Sequence, residues 1–550
     1  MLRVGIMLDS YTSSAWVAKV IEDIQSSGFA RVELVMLNDA LAQRMSSFRM
    51  RLRSWNFALF HLYERWDYKR NKTGHDAMAL TDVSHLLYGV PSISVESDRR
   101  NLANSISEKQ LAEIRKYELD VIFHFGFDIP RRDFLGSSRY GVWSFQHGSD
   151  YEDRCAAPLF RELAESSPVS GSSLLIFTDS IDEGRVAHQS YASTDHASLY
   201  VNRNPIYWKT AEFGLRGLRK LHAGGKEYIQ SLPTYRERES GARRRKWAPN
   251  NLQMIFFLRR YLSRRLKARR VPPPLQLGAR TKWYVGIRRR SAAYPFDDSS
   301  NYLLLPCPHD RFYADPFLFE KDGRTFLFFE DFRYEEGRAV ISCCELGSDG
   351  TPGAPFEVLR CPFHLSYPFV FEHGGEVYMI PETRGNLKLE LYRATDFPTA
   401  WAAEAVLFND VHMVDATIHE VNGKFWMFAG VSNGRYSNSD ELCLFFADVL
   451  SGPWKPHRAN PVVSDVRRSR PAGKLFYDQG RLIRPSQDCG KAYGYAVAFS
   501  EVLTLTETEY EERQISRLEP DLVADCEGTH TYNRTEQFEV VDRTLIVPQS

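Results

Sequence analysis

YADPFLFEKDGRTFLFFED, from Tyr313 to Asp331, reads as two apolar strands joined by a polar turn that ends on Gly323. Alternating apolar runs on either side of an Asp-Gly pair are the strongest short-range signal for a hairpin. The same phrase returns as YPFVFEHGGEVYMIPE from Tyr367, VDATIHEVNGKFWMFAG from Val414 and RPAGKLFYDQGRLIRPSQD from Arg470. Its turn glycines, Gly323, Gly375, Gly423 and Gly480, stand 52, 48 and 57 residues apart. A hairpin recurring at about 50 residues is the mark of a propeller blade, because each sheet buries its faces only by stacking on its neighbours. The expectation is an all-β five-bladed propeller over residues 281–550.

A propeller delivers the inner-strand residues of every blade to one centre. The first clear blade offers Asp315 before a proline and Glu330 at the end of the partner strand, and the second closes on Glu382. Asp415 opens the third in register with Asp315, the fourth supplies Arg470, Arg484, Gln487 and Asp488, and GTHTYN brings His530. Carboxylates from different blades around one hole suit glycoside chemistry, with an acid, a base and a group that tunes them. Arginines and a histidine suit an anionic sugar or a phosphate. Taken singly, each residue has a plainer role: Asp before Pro caps turns, and a strand-end Glu faces water. Recurrence at equivalent blade positions is what marks the set as a substrate-binding pocket. No spacing of cysteines or histidines suggests a metal.

The first two hundred residues have another rhythm. LRVGIML is a buried strand, Trp16, Val17, Val20, Ile21 and Ile24 recur at helical spacing, and RVELVML and DVIFHFGF follow as further strands. Such alternation predicts an α/β, Rossmann-like, mostly parallel sheet with helices on both faces. There is no G-x-G-x-x-G and no Walker loop, so dinucleotide or ATP binding has no motif behind it.

Between the two regions, residues 236–270 hold 13 Lys or Arg against two Glu. Ile255, Leu258, Tyr261, Leu262 and Leu266 recur there at helical intervals among paired arginines. This basic amphipathic helix reads either as a connector packed between domains or, over residues 250–270, as a peripheral contact with an anionic membrane. The domains expected are therefore 1–220, a basic helical linker over 221–280, and 281–550. Over the whole chain 70 basic residues balance 70 acidic ones, which argues against a general affinity for nucleic acid. Eight cysteines without C-x-x-C spacing suggest neither a zinc site nor a disulfide framework, and the adjacent Cys343 and Cys344 should sit on opposite faces of one strand. No run of 18 apolar residues occurs, so the expected compartment is the cytoplasm.

Three segments of the first region resemble the formyltransferase family that includes methionyl-tRNA and sugar N-formyltransferases: DVIFHFGFDIP from Asp120, GVWSFQHGSDYEDRCAAP from Gly141 and SGSSLLIFTDSIDEGRV from Ser170. The resemblance covers roughly residues 1–220 and implies a formyltransferase-like domain using 10-formyltetrahydrofolate. Transfer of a formyl group to an amine passes through an oxyanion, which an amide donor and a histidine stabilise while a carboxylate assists proton movement. The family's asparagine falls on Ser144 and its histidine on Gln146, with His147 one place later; Asp182 stands where the family's carboxylate is expected. A one-residue shift along a strand would turn His147 to the opposite face.

The second region resembles the five-bladed propellers of arabinanase and fructosidase type. It is more similar still to the N-terminal region of plant glucosamine inositolphosphorylceramide transferases, through YADPFLFEKDG, SYPFVFEHGGEVYMIPET and MVDATIHEVNGKFWMFA. Against the glycosidases, Asp315 and Asp415 match the general base and the tuning carboxylate, whereas the fourth unit offers Gln487 and Asp488 where an acidic Glu is usual. Three readings follow. The first is a formyltransferase-like enzyme of glycan biosynthesis acting on an amino sugar or glycolipid gripped by the propeller. The others are a glycoside hydrolase-like propeller with a degenerate formyltransferase domain, and a non-catalytic carbohydrate-binding protein.

Overall fold

The computed structural model describes residues 1–38, 55–95, 106–126, 132–148, 157–178, 183–236, 249–270, 279–291, 295–520 and 526–548. The chain divides into two compact units, Met1–Leu262 and Ser263–Ser550.

The first unit is built on one sheet of eight strands: β1 Leu2–Leu8, β2 Ala30–Asn38, β3 Ser92–Val95, β4 Val121–His124, β5 Val142–His147, β6 Val169–Phe177, β7 Glu183–Ser193 and β8 Thr234–Arg236, in the order β8-β7-β6-β5-β4-β1-β2-β3. From β3 to β5 the neighbours run parallel; β5 to β8 pair antiparallel. The sheet is thus mixed, less parallel than the alternation implied. The short link from β6 to β7 leaves no room for a crossover, so that pair has to be antiparallel.

Its helices are α1 Ala15–Ser26, α2 Ala58–Asn71, α3 Glu108–Arg115, α4 Arg132–Leu135, α5 Phe160–Glu165, α6 Leu199–Ser231 and the first part, to Leu262, of α7 Asn251–Arg270. Trp16, Val17, Val20, Ile21 and Ile24 of α1 are all buried, together with Phe213, Leu218 and Leu221 of α6, on one face of the sheet. Leu111 and Ile114 of α3 and Phe134 and Leu135 of α4 cover the other face. Burial on both sides explains why β1 is apolar almost throughout.

The linker expected over 221–280 is not a separate body. Helix α6 runs on to Ser231 with Leu221 and Ile229 buried, and α7 buries Met254, Phe257 and Tyr261 against Phe60, Tyr63 and Phe160. Helical spacing located α7 but could not show that it carries apolar residues on two faces. Among the described residues no helix is long and apolar enough to cross a membrane.

The second unit is a five-bladed propeller. Blades 1 to 4 are antiparallel four-stranded sheets whose first two strands are Arg311–Lys321 and Arg324–Arg333, Ser366–His373 and Glu376–Glu382, His412–Val421 and Lys424–Ser432, and Phe476–Asp478 and Arg481–Asp488. Blade 5 is assembled from both ends of the unit: Ala279–Arg289 pairs with Phe538–Pro548 along its whole length, from Ala279 opposite Pro548 to Arg289 opposite Phe538. Closing the ring this way leaves no blade unstacked.

Each tight turn has positive φ at both central residues, Asp322-Gly323, Gly374-Gly375, Asn422-Gly423 and Gln479-Gly480. That is the type I′ requirement, and it is why a glycine recurs at the second position. The cores lie between neighbouring sheets. Cys343 faces the core shared by blades 1, 2 and 3, and Cys344 faces the one shared by blades 5 and 1, as alternation demands.

Candidate functional site

In blades 1, 2 and 3 the register slips by one residue at the same place, between Ala314 and Phe317, Ser366 and Phe369, and Val414 and Thr417. The first bulged residue is Asp315, Tyr367 or Asp415, at φ of +48°, +46° and +53°. Holding a non-glycine residue in the left-handed region costs about 1–2 kcal/mol, so the surrounding fold must enforce it three times over. A bulge bends its strand and re-aims a side chain. Here it turns these three inward, to the propeller axis. Directly opposite the slip, seven residues after the turn glycine, stand Glu330, Glu382 and Gly430; the same count in blade 4 gives Gln487.

Blade 4 breaks the pattern. The place eight residues before its turn glycine is taken by Ala472, and Arg470 reaches in from two residues further back. Its Nε donates to Asp415 Oδ2 at 2.6 Å, its Nη2 to Asp415 Oδ1 at 3.3 Å, and Nη2 also lies 3.5 Å from Glu382 Oε2. Gln487 Nε2 donates to the same Asp415 oxygen at 2.8 Å. Asp415 is thus wholly enclosed, at 1% exposure.

Asp315 accepts from Thr531 Oγ1 at 2.7 Å and from the backbone N–H of Tyr367 at 3.2 Å. His530 lies between carboxylates, with Nδ1 2.5 Å from Asp542 Oδ2 and Nε2 3.7 Å from Asp315 Oδ1, and stacks on Trp283 at 4.2 Å. Asp315, His530 and Asp542 offer ligand atoms within 4.8 Å of one another, enough to consider a metal ion. Asp542, however, already accepts from the N–H groups of Asp315, His530 and Thr531. With those three donors and the His530 ring against it, Asp542 has little left to offer a cation.

Burial pushes the Asp315 carboxyl up to about 6, helped by Asp415 and Asp542 and opposed by His530. Burial also raises Glu330 and Glu382 well above the ordinary carboxylate range, and each feels the other carboxylates of the cluster. His530 is raised too: burial opposes its charge, but Asp542 and Asp315 overcome it. The axis therefore gathers carboxyls that hold their protons more firmly than usual beside the Arg470 guanidinium, a mixture of donors and acceptors suited to hydroxyl groups.

The Tyr367 hydroxyl spans the axis, meeting Thr417 Oγ1 of blade 3 at 2.8 Å and accepting from Gly473 N of blade 4 at 2.7 Å. On the side beyond it Lys474 Nζ donates to Leu318 O at 2.9 Å, over the rings of Phe319 and Phe369. Burial lowers that amine to about 8. Tyr493, 56% exposed, stands at the rim with its ring 5.3 Å from Arg470 and 5.5 Å from His530.

Of the residues expected here, Asp315, Glu330, Glu382, Asp415, Arg470, Gln487 and His530 come together. Arg484 and Asp488 do not. The Arg484 guanidinium is spent on Glu512, at 2.7 and 2.8 Å, and Asp488 is held by Arg517 at 2.9 Å and Gly490 N at 2.9 Å. The same strand that brings Gln487 inward alternates, so its neighbour Asp488 faces elsewhere. Tyr367, Tyr493, Thr531 and Asp542 were missed. Counting eight residues back from each turn glycine finds Tyr367; Asp542 sits in a strand that also carries Glu539 and Arg543, so nothing in the sequence singles it out.

In the first unit, Ser144 and Gln146 share one face of β5. Gln146 Nε2 donates to Ser144 Oγ at 3.2 Å, and His124 Nδ1 from β4 lies 3.1 Å from the same oxygen. His147 faces the other way, stacked on Tyr207 at 3.9 Å, edge-on to Trp16 and 3.0 Å from Thr210 Oγ1. Desolvation there, with Arg203 adding to it, pushes its imidazole down to about 3. A neutral ring in the helix-facing layer does not belong with Ser144 and Gln146, so strand parity removes His147 from the candidate site. His124 is the histidine that the sequence reading overlooked. Asp182 lies outside the described residues.

Residues 304–541 match the family model described as glucosamine inositolphosphorylceramide transferase 1, N-terminal. A glucosamine inositolphosphorylceramide transferase 1 from Oryza sativa subsp. japonica is 36% identical over 209 residues, which is 36% of this chain and 27% of that protein. The chain thus spans well under a third of the length of this relative. Among solved structures, a glycinamide ribonucleotide transformylase 1 from Symbiobacterium toebii is 13% identical, over 41% of this chain and 89% of that one, with a TM-score of 0.28. An exo-β-1,3-galactanase from Clostridium thermocellum is 14% identical, over 37% and 49%, with a TM-score of 0.30. Likenesses this loose carry no functional weight.

Proposed function

We propose that this chain is a carbohydrate-active protein of glycan or glycolipid biosynthesis whose propeller axis grips a sugar. One observation carries the reading: a bulge repeated in three blades directs Asp315, Tyr367 and Asp415 to the same point as Glu330, Glu382 and Arg470. A fold would not place three residues in strained backbone at equivalent positions merely to fill a core. Carboxyl groups, a guanidinium and an exposed tyrosine ring at the mouth are what hydroxyl groups and a pyranose face require. The match over residues 304–541 supports a place in glycolipid chemistry.

Hydrolysis of a glycosidic bond is the weaker reading. Asp415 is neutralised by Arg470, and the fourth blade supplies Gln487 and Arg470 at the axis rather than a carboxyl group able to act as acid.

For the first unit, the proposal is a formyltransferase-like transfer to the amine of an amino sugar. Ser144, Gln146 and His124 place hydroxyl, amide and imidazole groups on one face of the sheet, a donor set that fits a polarised carbonyl or oxyanion. 10-Formyltetrahydrofolate would supply the formyl group. The test is to profile the full chain on a glycan array, then incubate it with 10-formyltetrahydrofolate and each amino sugar bound. Formylated sugar supports both halves of the reading; sugar binding without folate consumption leaves a carbohydrate-binding protein; release of free sugar from a glycan favours hydrolysis.

A further inference from the structure

The candidate site of the first unit continues sideways along its sheet. His124 of β4 pairs with Ser144 of β5, Gln146 of β5 with Ser173 of β6, Ser173 with Gln189 of β7, and Gly171 with Tyr191. Residues directly opposite one another on neighbouring strands point to the same face. His124, Ser144, Gln146, Ser173, Gln189 and Tyr191 therefore form one polar band across four adjacent strands. With strands about 4.8 Å apart, the band is about 14 Å wide.

The same face is apolar further along. Ile122, Val142 and Leu175 are packed with Leu111 and Ile114 of α3 and with Phe134 and Leu135 of α4. The change from apolar to polar falls two residues on in β4, β5 and β6, towards the carboxyl ends of the parallel strands β4 and β5. Ligands of open α/β sheets sit beyond such ends.

The band leaves hydrogen-bonding capacity unused. Gln146 Nε2 donates to Ser144 Oγ at 3.2 Å, and Gln189 Nε2 donates to Tyr191 Oη at 2.5 Å. Among the described residues no partner meets the carbonyl oxygen of either amide, nor the hydroxyl of Ser173, a residue that is 2% exposed. A buried hydroxyl without a partner is unfavourable in the empty fold. Gln146 and Gln189 are half-buried, so their free oxygens can be reached from outside.

From this we infer that Ser173 and Gln189, with Gln146 at the border, form an acceptor subsite that binds the hydroxyl groups of an amino sugar while its amine meets the formyl group beside Ser144 and His124. The inference rests on the formyl-transfer reading proposed above and assigns acceptor choice to strands outside the reacting centre. β7 lies about 10 Å from β5, so a hydroxyl bonded there belongs to a different part of the acceptor from the reacting amine. Amides and a serine hydroxyl, all uncharged, match sugar hydroxyls, each of which donates and accepts. Such a site discriminates strongly against an acceptor that lacks the hydroxyls, because its own polar groups are then left unpaired.

The experiment compares glucosamine with ethylamine, an amine without hydroxyl groups, in formyl transfer from 10-formyltetrahydrofolate by the full chain. Gln189→Leu and Ser173→Ala should each raise the KM for glucosamine at least fivefold relative to the KM for ethylamine. Ser173→Ala removes a single oxygen, so the comparison survives if the leucine variant folds poorly. If the two KM values move together, or neither moves, the subsite is overturned while formyl transfer stands. If the unaltered chain formylates neither amine, the formyl-transfer reading falls and the subsite falls with it.

Discussion

At the propeller axis a polar side chain reaches the centre because a one-residue bulge, set at a constant distance from a glycine turn, aims it there. At the end of β5 in the first unit a polar side chain goes wherever the parity of a single strand sends it. The repeated device tolerates change of residue: Tyr367 arrives in the same way as Asp315 and Asp415. The unrepeated one does not tolerate a shift of one place, and His147 ends stacked on Tyr207 instead of beside Ser144. Repetition in sequence therefore predicts position in space, whereas resemblance of a short motif predicts it only when the register is kept.

The comparison can be broken most forcefully at Asp415. Asp415→Ala would leave the buried Arg470 guanidinium without its main partner, and loss of one member of such a pair costs about 3–5 kcal/mol. Chemical denaturation should show that loss, and Asp415→Leu with Arg470→Met should recover most of it. A loss below 1 kcal/mol would mean that the axis is less enclosed than described.

A second test uses pH. Asp315 in the fold holds its proton to about pH 6, whereas unfolded it releases it near the ordinary aspartate value of 3.8. Between those values the folded state binds more protons, so stability falls as pH rises across that window, by about 2–3 kcal/mol from this group. Asp315→Asn should flatten that slope in denaturation midpoints measured from pH 4 to 7, leaving whatever Glu330 and Glu382 contribute.

In the first unit, His147→Phe should cost only about 1 kcal/mol, since it removes one hydrogen bond while Thr210 Oγ1 still donates to Tyr207 O, and should spare any amine-formylating activity. Ser144→Ala should depress that activity instead. The reverse pattern would restore His147 to the site. Of similar size, Gly423→Ala in the third turn should cost about 1 kcal/mol: its φ of +71° strains alanine, nothing lies within 4 Å of a new Cβ, and stiffening the unfolded chain offsets only part of the strain.

Much of the propeller was legible because turn chemistry is local: the pair before each reversal must take positive φ, and glycine records it. Asp315 and Asp415 were legible for the same reason. Tyr367 was hidden because an aromatic residue in an apolar strand looks like core. Arg484 and Asp488 were misplaced because blade 4 departs from its siblings, drawing Arg470 from two residues upstream and sending its next charged residues to Glu512 and Arg517. Blade 5 has no repeated phrase, since its hydrogen-bonded strands come from opposite ends of the unit. The double-faced α7 was likewise invisible, because periodicity reports a stripe without saying which of two stripes is covered.

The most direct measurement is a crystal structure of the full chain soaked with a hexosamine that it binds in solution. The account predicts a sugar ring seated at the propeller axis against Tyr493, with hydroxyls within hydrogen-bond distance of Glu382 and Arg470. A ring found elsewhere on the protein, with the axis side chains unmoved and still bonded only to one another, would contradict it.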